Sequence, residues 1–230
     1  GVSSAASDVY KRQDTVTRWI DYGADNYAGV TWSGAPSTNA YRLFLGWMSN
    51  WQYAQVVPTG VWRSAMTLPR ELSLKQLQGR FVLSVMPAGE VGSLAGTAVE
   101  AEGSAELKAD QARIELVTDG KPFKLTLSNE KGEKLIIGLE GTKLYIDRTA
   151  AGKHDFHPGF AAVHSLDIEG SGVGIITVFL DRSSVEVFTD RGTVMTDIVF
   201  PTVPFSSVEL GGENRKFTIA HVSGIWGKNN

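Results

Sequence analysis

Cysteine is missing from this chain, which excludes disulfides, thiolate catalysis, cysteine-ligated zinc and iron–sulfur clusters. The redox character of its compartment stays open, since oxidising spaces permit disulfides without requiring them. A surplus of one charge is missing too: 22 Lys plus Arg face 25 Asp plus Glu, a net of -3 that offers no broad attraction to phosphate backbones or anionic lipid. Nucleic acid and membranes are therefore not expected as partners. No apolar run approaches the roughly 20 residues that span a bilayer. The opening GVSSAASDVYKRQ also lacks the apolar stretch of a secretory signal. Four histidines are present, and His154 and His157 flank Asp155 in a Gly- and Pro-bounded loop; this is a weak metal pattern and reads as solvated loop. No P-loop, dinucleotide-binding glycine fingerprint, HExxH or GxSxG elbow occurs.

What the 230 residues do contain is glycine, 25 of them, with aromatics at 10%, a composition of short strands joined by tight turns. The length suits one large or two modest domains, either able to bury a core. From Asp110 onward strand-like runs recur between turn residues: ARIELV then Asp119-Gly120, FKLTLS then Glu130-Lys131-Gly132, KLIIGLE then Gly141, and TKLYID. Phe123, Leu125 and Leu127 alternate with Lys124, Thr126 and Ser128, the period of a sheet with one wet face. GIITVFLD, SSVEVFTD, TVMTDIVF, SSVELGG and KFTIAHV continue the series, so an all-β sandwich or barrel is expected. Between Arg18 and Arg70 aromatics are denser and loops longer. PRELSLKQLQGR has modest helical character, with Leu72, Leu74 and Leu77 on one side and Gly79 as its stop, and the composition break puts a domain junction at about 70–80.

Glycoside hydrolysis needs two carboxylates, about 5–5.5 Å apart for retention or 6.5–9.5 Å for inversion. Asp21 and Asp25 on one extended strand would share a face but lie about 13 Å apart, so only a turn at Gly23 brings them together. Their plainer role is to accept backbone amides and shape a turn. Asp181, Glu186 and Asp190 form a second acidic group in LDRSSVEVFTDRG. There Asp181-Arg182 reads as a turn, Glu186 points outward between Val185 and Val187, and Asp190-Arg191-Gly192 closes a hairpin. GWMSNWQYA is more suggestive, because tryptophans beside Asn and Gln suit a sugar site, with flat rings against C–H faces and amides on hydroxyls. Trp47 also continues an alternation with Leu43 and Leu45 that suits burial, whereas Asn50 and Trp51 fall just past the strand, where loops present function.

Taken in order, DYGADNYA, LGWMSNWQYA, PTGVWRSAMTLPREL, YIDRTAAGKHDFHPGF and VFLDRSSVEVFTDRG resemble the C-terminal part of glycoside hydrolase family 32, the family of invertases, levanases and inulinases. The resemblance covers about residues 14 to 228. It implies a remnant of a five-bladed β-propeller, the last blade or so, followed by a C-terminal β-sandwich. On that reading residues 1–13 are a non-family tail resembling adaptor or cloning sequence, 14–75 are the propeller remnant and 76–230 the sandwich. The family's aspartate nucleophile in a WMNDPNG-type motif, its RDP aspartate and its acid/base glutamate in an EC motif have no counterpart in this sequence.

The resemblance thus implies a C-terminal fragment, inactive alone and without a catalytic residue of its own, of a retaining β-fructosidase acting on levan, inulin or sucrose-type carbohydrate. Asp25, Tyr27, Trp47, Asn50 and Trp51 are its expected walls for the fructosyl pocket, the tryptophans first, while DRSSVEVF is expected to be structural, in a propeller–sandwich contact within the chain. No cofactor or catalytic metal is implied, and a secreted or periplasmic parent is expected. The alternative is a non-catalytic sandwich that binds fructan or only stabilises the propeller. An exposed aromatic platform on the sandwich would favour binding, but Phe81, Phe123, Tyr145, Phe179, Phe188, Phe217 and Trp226 mostly alternate as core residues do.

Overall fold

A computed structural model describes residues 17–34, 41–77, 79–168 and 173–224; the tail at 1–13 and Trp226 lie outside the described residues. Among these residues the chain forms two sheets. The first holds β1 (Tyr27–Thr31), β2 (Arg42–Met48), β3 (Ala65–Met66), β4 (Arg70–Leu77) and β5 (Arg80–Pro87) in the order β1-β2-β4-β5, with β3 also on β2. A short 3-10 turn at Gly89–Leu94 leads out of it. The second holds β6 (Val99–Glu102), β7 (Ser104–Glu106), β8 (Ala112–Val117), β9 (Phe123–Ser128), β10 (Lys134–Glu140) and β11 (Lys143–Ala150), then β12 (Val163–Asp167), β13 (Ile175–Asp181), β14 (Ser184–Thr189), β15 (Val194–Ile198), β16 (Ser207–Gly212) and β17 (Lys216–His221). No helix among the described residues is long and apolar enough to cross a membrane.

The twelve strands run β12-β11-β10-β9-β16-β7-β6-β17-β8-β13-β14-β15, and they double back at Gly103, between β6 and β7. Gly103 has φ +74°, a conformation that favours glycine at this corner. Both halves send alternate side chains into one core. Leu125, Leu127, Leu135, Ile137, Leu144 and Ile146 come from one half, and Ile114, Leu116, Ile176, Val178, Val185 and Val187 from the other. A buried aliphatic side chain stabilises by about 1.5–3 kcal/mol, so this shared core is what makes a sandwich of the sheet. Turn chemistry fixes the register: Asp119 and Gly120 both take positive φ, 49° and 73°, and join β8 to β9.

The PREL stretch is a strand, not the modestly helical segment expected from its leucines. Every residue of β4 from Arg70 to Leu77 faces one of β5 from Pro87 back to Arg80, and Gly79 at φ +78° makes the turn. Leu72 and Leu74 share a face at period two, opposite Val85 and Leu83, and this cross-strand partner outweighs the local spacing. The first sheet therefore runs on through Pro87, past the expected boundary at 75, which falls inside β4.

Strands β14 and β15 are buried on both faces. One face feeds the sandwich core through Val185, Val187 and Met195. Against the other lies the first sheet: Phe188 and Val194 pack with Val85, Leu72 and Leu83, and Ile198 with Met48, Tyr53 and Phe160.

Candidate functional site

Three of the five expected pocket residues come together on the first sheet. Tyr27 faces Trp47 across the β1–β2 pair, and the turn after β2 brings Trp51 over both. Ring centroids lie 6.3 Å apart for Tyr27–Trp47 and 6.4 Å for Tyr27–Trp51, both edge to face, and 5.2 Å for Trp47–Trp51. Tyr27 keeps 55% and Trp51 61% of its surface exposed, while Trp47 is half-buried beneath them. The cluster presents flat apolar surface with polar edges to solvent, the equipment for a sugar ring.

Asp25 and Asn50 lie elsewhere. Asp25 is 0% exposed, so it lines no surface and is corrected from a pocket wall to a buried ion pair. Its Oδ2 accepts Arg148 Nη1 at 2.6 Å and the Ile198 amide at 2.9 Å, and its Oδ1 accepts Tyr53 Oη at 2.6 Å. Asn50 donates from Nδ2 to the Ala24 carbonyl at 2.9 Å and accepts the Gln52 amide on Oδ1 at 3.0 Å, so its side chain ties the turn to the loop before β1.

That loop covers the free edge of β15. Tyr22 and Asp25 donate their amides to the carbonyls of Val194 and Thr196, at 2.9 and 3.0 Å. In return the Thr196 amide donates to Asp21 Oδ1 and the Ile198 amide to Asp25 Oδ2, each at 2.9 Å. Two edge amides that point the same way stand about 7 Å apart, and the bend at Gly23–Ala24 draws the two carboxylates to that spacing. Asp21 and Asp25 thus accept backbone amides around a turn, as the plainer reading of the sequence had it. They are not an open catalytic pair.

A second buried group sits beside the first. Arg70 Nη1 donates to Asp21 Oδ2 at 2.7 Å, and Nη2 donates to Glu186 Oε2 and Thr196 Oγ1, each at 2.6 Å. Glu186 does point away from the sandwich core, yet it is 3% exposed, because the first sheet covers that side and the Leu68 amide donates to Oε1 at 2.8 Å. Burial raises its carboxyl pKa although Arg70 pulls the other way. Burial lowers the Arg70 guanidinium, but Glu186 and Asp21 more than offset this and the net shift is upward. For Asp25 burial is the largest cause, resisted by Arg148 and reinforced by Asp197, and the carboxyl is pushed up to about 6. Burial and Asp25 together raise the Tyr53 phenol, so it stays a proton donor to the carboxylate.

Arg70, Arg148, Tyr53 and Thr196 were not singled out from the sequence. A signal was present: Arg70 and Arg148 fall within PREL and YIDR, but nothing local says that either is buried. Nδ1 of His154 lies 2.6 Å from the Gly152 carbonyl and the Gly159 amide donates to Nδ1 of His157 at 3.1 Å, while the His157 ring also packs on Tyr53 at 5.9 Å between centroids.

The family model described as "Glycosyl hydrolases family 32 C terminal" matches residues 75–223, and that of the family's N-terminal domain matches residues 3–84. The chain belongs to glycosyl hydrolase family 32. The N-terminal match begins at residue 3, within the segment expected to lie outside the family. A levanase of Bacillus subtilis strain 168 is 35% identical over 234 residues, 91% of this family 32 chain and 35% of the relative. An extracellular exo-inulinase of Aspergillus niger is 30% identical over 96% of this chain and 45% of its own length. Among solved structures, exo-inulinase from Aspergillus awamori superposes with a TM-score of 0.79 at 27% identity, covering 93% of this chain and 46% of that one. A Bombyx mori β-fructofuranosidase shares the fold, with a TM-score of 0.68 at 19% identity over 91% of this chain and 43% of its own. The chain spans between a third and a half of the length of these relatives.

Proposed function

We propose that this chain is the C-terminal part of a retaining β-fructosidase that hydrolyses levan, inulin or sucrose-type fructosides through a covalent fructosyl-enzyme. Its own part is to supply an edge of the propeller and to fix that edge to the sandwich. Relatives named levanase and exo-inulinase support the substrate class. One observation carries the further reading that the chain alone does not hydrolyse: Asp21 and Asp25, the paired carboxylates before β1, are committed to the seam, Asp21 to Arg70 and Thr196, Asp25 to Arg148 and Tyr53. A nucleophile and a proton donor must be fixed together at an open site, and this sequence holds none of the family's three catalytic motifs.

In the same reading Tyr27, Trp47 and Trp51 line one wall of the fructosyl pocket, with the open faces of Tyr27 and Trp51 toward the sugar. Asn50 and Asp25 act behind that wall by holding the loop on which it stands. We divide the chain after Pro87, where the first sheet ends.

The test is release of fructose from sucrose, inulin and levan by the purified chain. No release above buffer is expected, and turnover by this chain alone overturns the division of labour.

A further inference from the structure

Strands β11, β10, β9 and β16 lie side by side in one half of the sandwich, and Tyr145, Gly138, Lys124 and Gly211 stand opposite one another in a single row across them. The row faces away from the core, because the adjoining residues Leu144, Ile137, Leu125 and Leu210 are the buried ones. Tyr145, expected among the core-like aromatics, is instead half-buried on this outer face, since β11 turns Leu144 and Ile146 inward. Its ring leans across to the next strand: a Cβ built on Gly138 would stand 2.5 Å from both Cζ and Oη of Tyr145. Only a glycine at 138 leaves the ring in this place.

Covering a glycine with an aromatic ring stabilises a sheet by itself. The rest of the row goes further. Gly138 lies buried under the Tyr145 ring, whereas Gly211 offers no side chain and a Cβ there would meet nothing nearer than 3.8 Å, so the row falls from the ring to the Gly211 end with the flexible Lys124 between. Three strand spacings make it about 14 Å long. The neighbouring row on one side is Asp147, Ile136, Thr126 and Glu209, polar but for Ile136, and Glu140 and Lys143 stand on the other side. Tyr145 Oη and Glu140 Oε1 are 3.4 Å apart. A flat ring for C–H faces, with carboxylates, an amine and a hydroxyl at its margins, is the chemistry that recognises a neutral sugar chain.

We propose that this trough, running from the Tyr145 ring past Lys124 to Gly211 and edged by Glu140 and Glu209, is a second, non-catalytic binding site for a fructan chain. It lies on a different sheet from Tyr27, Trp47 and Trp51. The choice of fructan rests on the hydrolase reading, whereas the trough rests on the geometry of the sandwich. Such a site raises the local concentration of polymer at the enzyme without a new contact at the cleavage site.

Native gels cast with inulin, levan or dextran read the site directly on the whole chain. Retardation by inulin or levan is expected, weakened about tenfold by Tyr145→Ala and kept within about threefold by Tyr145→Phe. Lys124→Ala, on an exposed position of another strand, is expected to weaken it about threefold at an unchanged melting temperature. Trp51→Ala is expected to remove only the share of retardation that the first sheet contributes, leaving the share that Tyr145→Ala abolishes. No retardation, or retardation lost in Trp51→Ala and untouched by Tyr145→Ala, overturns the trough. Retardation by dextran alone that still depends on Tyr145 overturns fructan as the ligand and counts against the fructosidase reading, so the two failures are told apart.

Discussion

Asp25 and Arg148 stand 123 residues apart in sequence and 2.6 Å apart in space, with neither side chain exposed. Arg148 also donates from Nε to the Phe160 carbonyl at 2.8 Å and from Nη2 to Tyr53 Oη at 3.0 Å, and its guanidinium lies 4.0 Å over the Phe160 ring. Asp25 and Arg148 thus answer each other across the two units, while the buried Asp197 beside them pairs with His164 of its own unit, Oδ2 to Nδ1 at 2.7 Å. Such a pair is weak evidence of net stabilisation, but removing one partner strands the other in a medium that cannot solvate it.

Asp25→Leu and Arg148→Met are each expected to destabilise the chain by about 3–5 kcal/mol, and the double variant by clearly less than the sum. Urea unfolding of the four proteins checks this. Additive losses would mean that the two side chains act independently.

The same carboxylate sets a pH dependence. Burial lifts the Asp25 pKa from its ordinary 3.8 to about 6 against the pull of Arg148. A carboxyl that holds its proton better when folded favours the folded state most fully below the lower value, and that contribution fades as pH rises through the upper one. The stability gap between the native chain and Asp25→Asn is thus expected to widen from about pH 7.5 to about pH 5. Urea midpoints at the two pH values decide it, and a gap that narrows toward acid contradicts the direction.

Gly23 carries the loop against β15. A Cβ there would stand 2.1 Å from the Thr196 carbonyl oxygen, a backbone atom that cannot step aside. Gly23→Ala is expected to cost about 1–3 kcal/mol and to speed hydrogen exchange at the Thr196 and Ile198 amides. Unchanged protection at both amides would contradict the close approach.

Trp51, mostly exposed, is a different matter. Trp51→Ala is expected to shift stability by no more than about 0.5 kcal/mol, while removing the binding of fructose or short fructo-oligosaccharides to the first sheet. Titration calorimetry with a kestose-type trisaccharide separates the two effects. Binding that survives the substitution would remove Trp51 from the pocket wall.

Much of the sandwich was legible because its signals are local. The alternation in FKLTLS became β9 with Leu125 and Leu127 at the core, and Asp119-Gly120 became the turn its residue types demand. The seam was legible only as likeness. DYGADNYA, PREL, YIDR and SSVEVF each bring charge to it, Asp21 and Asp25, Arg70, Arg148 and Glu186, and these meet only because the fold joins segments 49 to 123 residues apart. Alternation placed Glu186 correctly, away from Val185 and Val187, but could not show that another sheet lies on that side. The same limit explains β4, whose leucines read as one segment when β5 decided their fate, and Asp25, which the family likeness set in a pocket wall when its partners lay across the seam.

The most direct measurement is the coding sequence upstream of the codon for Gly1 in the source DNA. A β-fructosidase parent requires one continuous reading frame that carries WMNDPNG-type, RDP and EC motifs in that order. A start codon immediately upstream, with no such motifs before it, would contradict the parent hydrolase and leave a sugar-binding or purely structural protein in its place.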